Sequence, residues 1–96
     1  MHMIRPDTIE FDPDKAAANL RKHGVGFSDA EQALRDPHAA TLHDPDAEGE
    51  TRFVTLGMDA VGRVLIVVWT PRQHRARIIS ARKAGKGEAM SYAQGI

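Results

Sequence analysis

From residue 13 to residue 23, Ala16, Ala17, Leu20 and His23 recur at helical spacing, as on one side of an amphipathic helix. Asp12 can accept from the unpaired amides of its first turn, Pro13 sits where a missing N–H costs nothing, and Gly24 can close it left-handed. The pattern predicts a helix over 13–23. A second, shorter stripe, Ala30, Ala33 and Leu34, follows Ser28-Asp29-Ala30-Glu31. That tetrapeptide has the form of a capping box, with Ser28 as N-cap and Glu31 answering it. Asp36-Pro37 ends the segment, and Phe27 just before it is expected in the core.

Elsewhere the period is two. Ile9-Glu10-Phe11 reads as a brief opening strand at an edge. Strands are predicted over 39–43, 51–58, 63–70 and 75–82, separated by a loop at 44–49, a hairpin turn at 59–62 and a turn at 71–74. Val64-Leu65-Ile66-Val67-Val68-Trp69 is apolar on both faces, which places it at the sheet centre. Strict alternation puts Arg52, Val54 and Leu56 on one face of their strand, and Arg63, Leu65, Val67 and Trp69 together on the next. In the last strand it groups Arg75, Arg77, Ile79 and Ala81, against Ile78, Ser80 and Arg82. Gly85 and Gly87 break the pattern before a short helix over 88–93. The order β-α-α-β-β-β-β-(α) predicts a single α+β domain over residues 1–96: an antiparallel sheet packed by two N-terminal helices and a short C-terminal one.

Composition narrows the chemistry. The 96 residues include no cysteine, which excludes disulfides, thiolate metal sites and a cysteine nucleophile. The longest apolar run is six residues, far short of the ~20 of a membrane span, and the N-terminus lacks a signal-peptide pattern. A cytoplasmic protein without a membrane association is expected. The net charge of zero conceals a division: residues 1–50 carry five Lys/Arg against eleven Asp/Glu, and residues 51–96 carry eight against two. Arg72, Arg75, Arg77, Arg82, Lys83 and Lys86 follow one another with no intervening acid. Such a block fits an anionic partner, nucleic acid first, or a solvated basic face.

Metal chemistry finds little purchase. Asp44, Asp46 and Glu48 with Gly49 resemble the first half of a calcium loop, but Thr55 stands where the bidentate carboxylate belongs. His2, His38, His43 and His74 form no ligand pattern. Lys22 and His23 end the first helix, where they either complement its dipole or offer acid–base groups. The arginines are more informative, because a strand arginine needs a carboxylate partner or an anionic ligand. Glu50 could pair with Arg52, and Asp59 with Arg63. There is no Ser-His-Asp arrangement, no phosphate-binding glycine loop and no aromatic ladder.

Ile9-Glu10-Phe11-Asp12-Pro13 with Lys15, then Asn19-Leu20-Arg21-Lys22-His23-Gly24-Val25 and Phe27-Ser28-Asp29-Ala30, resemble the opening of BrnT-type toxins. The similarity continues through Glu50 to Gly57, Gly62 to Thr70, and Arg77 to Ala84, with Glu88 and Tyr92 beyond. A short last helix is the local departure. The resemblance implies a RelE-like fold and a ribonuclease toxin held in check by a BrnA-like ribbon-helix-helix antitoxin. It further implies a complex of two toxins and two antitoxins that meets operator DNA mainly through the antitoxin. RNA cleavage without a cofactor or metal needs a base, an acid and cations around the phosphate. Within the matching motifs, Arg52, Arg77 and Arg82 are the candidate phosphate ligands, with Lys22 and His23 as acid–base groups and Glu50 as an alternative base. Arg63, Arg75, Lys83 and Lys86 are expected to contact RNA. The reading of another class is a non-catalytic nucleic-acid-binding or protein-interaction module.

Overall fold

A computed structural model describes residues 8–95; the N-terminal residues considered for a signal peptide, and His2, lie outside them. The first strand, β1, covers Thr8–Glu10 and is followed by helices α1 (Pro13–His23) and α2 (Phe27–Leu34). Strands β2 (Ala40–His43), β3 (Phe53–Met58), β4 (Val64–Arg72) and β5 (Arg75–Lys83) follow, then helix α3 (Lys86–Ala93). Strands β2 to β5 form an antiparallel meander, and β1 adds to β5 in parallel, so the sheet is mixed with order β1-β5-β4-β3-β2.

Local chemistry sets the ends of α1. Asp12 Oδ1 accepts from the Asp14 amide at 2.8 Å, Pro13 opens the first turn, and Gly24 closes the helix at φ 70°. Its inward face differs from the expected stripe: Asn19 is buried, whereas Leu20 is 54% exposed. The α2 capping box also fails to form. The helix begins two residues early, with Gly26 as N-cap and no side-chain cap, because Phe27 must turn into the core. Edge-to-face packing of Phe11 on Phe27, with ring centroids 5.5 Å apart, ties the β1–α1 link to α2.

Both helices lie on one face of the sheet. Val25, Phe27, Ala30 and Ala33 meet Leu65, Val67, Trp69, Ala76, Ile78 and Ala81 there in one apolar cluster. Trp69 Nε1 donates to Thr55 Oγ1 at 2.8 Å, and Thr55 shares a hydrogen bond with Thr41, so the buried indole N–H is satisfied. Gly57 allows α2 to rest directly on β3: a Cβ there would stand 2.1 Å from the Ala33 carbonyl oxygen. The central strand is β4, as its doubly apolar sequence requires. It runs through Pro71 and Arg72, past the expected turn, which narrows to Gln73-His74 with Gln73 at φ 57°.

Candidate functional site

A β-bulge decides which arginines share a face. Trp69 lies opposite Ile78 and Val68 opposite Ser80, so Ile79 is an extra residue in β5. Beyond it the alternation of β5 shifts by one. Ile78 and Ala81 both enter the core under the helices. Arg75, Arg77, Ser80 and Arg82 consequently all lie on the other, open face, opposite Arg72, Thr70, Val68 and Ile66 of β4. Strict alternation had separated Arg77 from Arg82; the bulge brings them together.

Across this open face runs a row of polar residues. Glu10 of β1 is paired in register with Arg77, which lies opposite Thr70. On the far side of Thr70 comes the segment leading into β3, since Thr70 Oγ1 donates to the Thr51 carbonyl at 2.7 Å. Arg52 follows directly. Glu10 lies 3.4 Å from Arg75 and 3.5 Å from Arg77, and Glu50 stands 4.0 Å from Arg52. In Arg52 and Arg77 the atom facing the carboxylate is Nε, which is buried and, among the described residues, is paired by charge without a hydrogen bond. Both side chains stay more than a third exposed, so an anion on this face would meet the outer part of each guanidinium and not its Nε.

Arg82, further along the same face, is held by α3. Its two terminal nitrogens donate to the two carboxylate oxygens of Glu88 at 2.9 and 2.8 Å. These hydrogen bonds, joined by the Gly85 amide, draw the Glu88 carboxyl down to about 2, and Glu88 in turn raises Arg82. The other end of α3 is fastened by Tyr92, whose hydroxyl donates to Asp36. Burial raises the Asp36 carboxyl, but hydrogen bonds from Tyr92 and from the Met58 and His38 amides outweigh it, leaving Asp36 below the usual range. The same bond pushes Tyr92 up to about 12.

Lys22 and His23 end α1 beside a groove of about 230 Å³, whose lining also includes Lys15, Ala18, Asn19, Ile79 and Ser80. The structure therefore brings this helix end to the bulge of β5, the strand that carries Arg77 and Arg82. Asn19 joins the two elements. Its amide nitrogen donates to the carbonyls of Ala81 (2.8 Å) and Val25 (3.0 Å), and its oxygen accepts from the Ala81 amide at 3.1 Å. One side chain thereby pairs with the edge of β5 as a neighbouring strand would.

Arg63 does not join the cluster. Its guanidinium bonds Asp59 at 2.7 Å and Asp29 of α2 at 3.2 Å, which fastens the β3–β4 turn to the helical layer. Asp59 is buried, and although burial raises its carboxyl, hydrogen bonds from Arg63 outweigh that and lower it. Lys83 and Lys86 are exposed on either side of the β5–α3 link. The 44–49 loop is closed by an Asp46 amide bond to Asp44, and among the described residues no three His, Asp or Glu side chains converge as a metal site. Glu10, Asn19, Thr70 and Glu88 were not singled out as site residues by the sequence. For Asn19 a signal existed: it shares the i, i+3, i+7 face of Ala16 and His23.

Comparison with known proteins agrees with this architecture. No curated protein matches the chain. The 1.1 Å crystal structure of the Brucella abortus ribonuclease toxin BrnT superposes with a TM-score of 0.62 at 24% identity, covering 82% of this chain and 97% of that one. At that identity the likeness establishes the fold. The family profile described as ribonuclease toxin, BrnT, of type II toxin-antitoxin system matches residues 11–88. Since that match takes in most of the chain, the protein belongs to the BrnT family of type II ribonuclease toxins.

Proposed function

We propose that this chain is a cytoplasmic endoribonuclease that cleaves RNA by attack of a ribose 2′-hydroxyl on the adjacent phosphate, without a metal ion, and so arrests translation and growth. The observation that carries the reading is the open face on which the bulge sets Arg77 and Arg82 together, with Arg52 in line beyond Thr70. Guanidinium groups fixed in a sheet can stabilise the charge that builds on a pentacoordinate phosphate. Lys22 and His23, at the groove beside Ser80, are the acid–base candidates, and Glu50 is the alternative base. The 2′-hydroxyl proton passes to the base as the oxygen attacks phosphorus; the acid protonates the departing 5′-oxygen, leaving a 2′,3′-cyclic phosphate. The carboxylates nearest the arginines are all engaged by them, Glu10 with Arg75 and Arg77, Glu50 with Arg52 and Glu88 with Arg82, an arrangement suited to balancing guanidinium charge.

Arg75, Lys83 and Lys86 extend the cationic surface for RNA, whereas Arg63 is assigned to the fold because two carboxylates hold it. Membership of a type II family implies an antitoxin. We assign it as a BrnA-like ribbon-helix-helix protein whose acidic segment covers the arginine face in a 2:2 complex and whose own fold binds operator DNA. Among the described residues, no helix is long and apolar enough to cross a membrane. The test is RNA cleavage by the purified protein with EDTA present. Cleavage should persist, and Arg52→Ala with Arg77→Ala should slow it by about a hundredfold or more. RNA that is bound but not cut would point instead to a non-catalytic nucleic-acid-binding module; cleavage that EDTA abolishes and Mg²⁺ restores would overturn the metal-free mechanism.

A further inference from the structure

The groove between α1 and the edge of β5 carries, beside the acid–base candidates Lys22 and His23, one cation that the cleavage chemistry does not use, Lys15. Lys15 lies in the first turn of α1 and Lys22 in the last, about 10 Å apart along the helix, and both line the groove. Among the described residues, no carboxylate lies within ion-pair distance of Lys15, Lys22 or His23, whereas Arg52, Arg75, Arg77 and Arg82 each have one. Strand β1 ends at Glu10, opposite Arg77, so the β5 edge beyond it is open until Asn19 takes up Ala81. Ala18 and Ile79 supply apolar surface, and Ser80 a hydroxyl on the strand that carries the arginines. At about 230 Å³ the groove falls below the ~300 Å³ lower bound of drug-sized sites. It suits one unit of an extended strand better than a folded RNA element.

Cations along an apolar-floored groove next to a phosphate-binding face are what one nucleotide of a single strand requires: charge for its phosphate and a flat apolar contact for its ribose or base. We propose that this groove is a nucleotide subsite that holds the RNA adjoining the segment on the arginine face, with Lys15 as a phosphate contact outside the bond-breaking chemistry. The proposal rests on the ribonuclease reading and adds to it a substrate class: single-stranded RNA long enough to pass around the edge of β5.

Lys15→Gln and Lys15→Glu test it without endangering the fold. Lys15 is exposed near the positive end of the α1 dipole, where an acid is more favourable than a base. Binding of 2′-O-methyl oligoribonucleotides of two to eight nucleotides is measured by fluorescence anisotropy over a salt series, alongside kcat and KM on cleavable RNA. Lys15→Gln should weaken binding of the longer oligonucleotides about three- to tenfold and make the log–log salt slope shallower by about 0.7, one single-strand contact. Lys15→Glu should weaken it further; dinucleotide binding and kcat should stay at the wild-type level. Unchanged affinity and salt slope in both variants would overturn the subsite, as would a fall in kcat with binding intact. Wild-type protein that binds RNA through Lys15 yet never cuts it would retain the subsite and refute the ribonuclease reading instead.

Discussion

Replacing Asn19 with alanine removes one carboxamide and leaves three backbone groups without partners: the Ala81 amide, the Ala81 carbonyl and the Val25 carbonyl. Ala81 is 1% exposed and Val25 fully buried, so water reaches these groups poorly. An unsatisfied buried polar group costs about 1–3 kcal/mol. A water entering the space left by the carboxamide would recover part of this, so a total of about 4 kcal/mol is expected for the three groups. A chain of this length has about 5–14 kcal/mol of stability in all; the variant should fold, with its thermal midpoint lowered by roughly 15–30 °C. Urea titration provides the measurement, with the midpoint falling at an unchanged slope. Asn19→Asp retains the acceptor for the Ala81 amide but turns a charge toward two carbonyls. It should be no better than alanine at neutral pH and should recover in acid, where the protonated carboxyl donates again. A loss below about 1 kcal/mol in both variants would refute the reasoning and show that apolar packing alone fixes the β5 edge.

Arg82→Ala should relieve growth arrest at equal protein abundance, losing about 2–4 kcal/mol of transition-state stabilisation. Stability should change by less than about 1 kcal/mol, because the ion pair with Glu88 is exposed; persistent toxicity would remove Arg82 from the site. Glu88 is depressed from 4.5 to about 2 when folded, so its stabilisation is complete above the unfolded value and is lost as pH falls between those two values. Denaturation midpoints across that window should show a slope that Glu88→Gln reduces. Gly57→Ala should cost at least about 3 kcal/mol, because its Cβ meets the Ala33 backbone rather than a movable side chain; an unchanged melting curve would show that α2 can lift off β3 freely.

The elements governed by neighbouring residues were legible in the sequence. Asp12, Pro13 and Gly24 bounded α1 because caps act within one turn, and the run from Val64 to Trp69 located the central strand because burial on both faces leaves no polar alternation. Features that depend on packing were not. Ser28 has the chemistry of an N-cap, yet burying Phe27 set the start of α2 two residues earlier. Leu20 fitted a helical stripe but yielded the inward face to Asn19, whose partner is 62 residues away. The candidate site was half visible: the arginines could be named individually, but Arg77 and Arg82 shared a face only through Ile79. Nothing local in Arg77-Ile78-Ile79-Ser80-Ala81-Arg82 marks which residue bulges.

The parallel pairing of β1 with β5 also bears on the order in which the protein is made. Glu10 and Arg75 are 65 positions apart, yet they are salt-bridge partners on adjacent strands. During translation β1 emerges early and has no strand to join until nearly all of the meander has left the ribosome. Arg75 and Arg77 are therefore synthesised long after the acid that balances them, and neither side can reach its final place first. Closing so distant a pair is entropically slow, which makes docking of β1 a late event. A nascent chain stalled before β5 lacks Arg75, Arg77 and Arg82, so the arginine face proposed to meet RNA is incomplete until β5 is made.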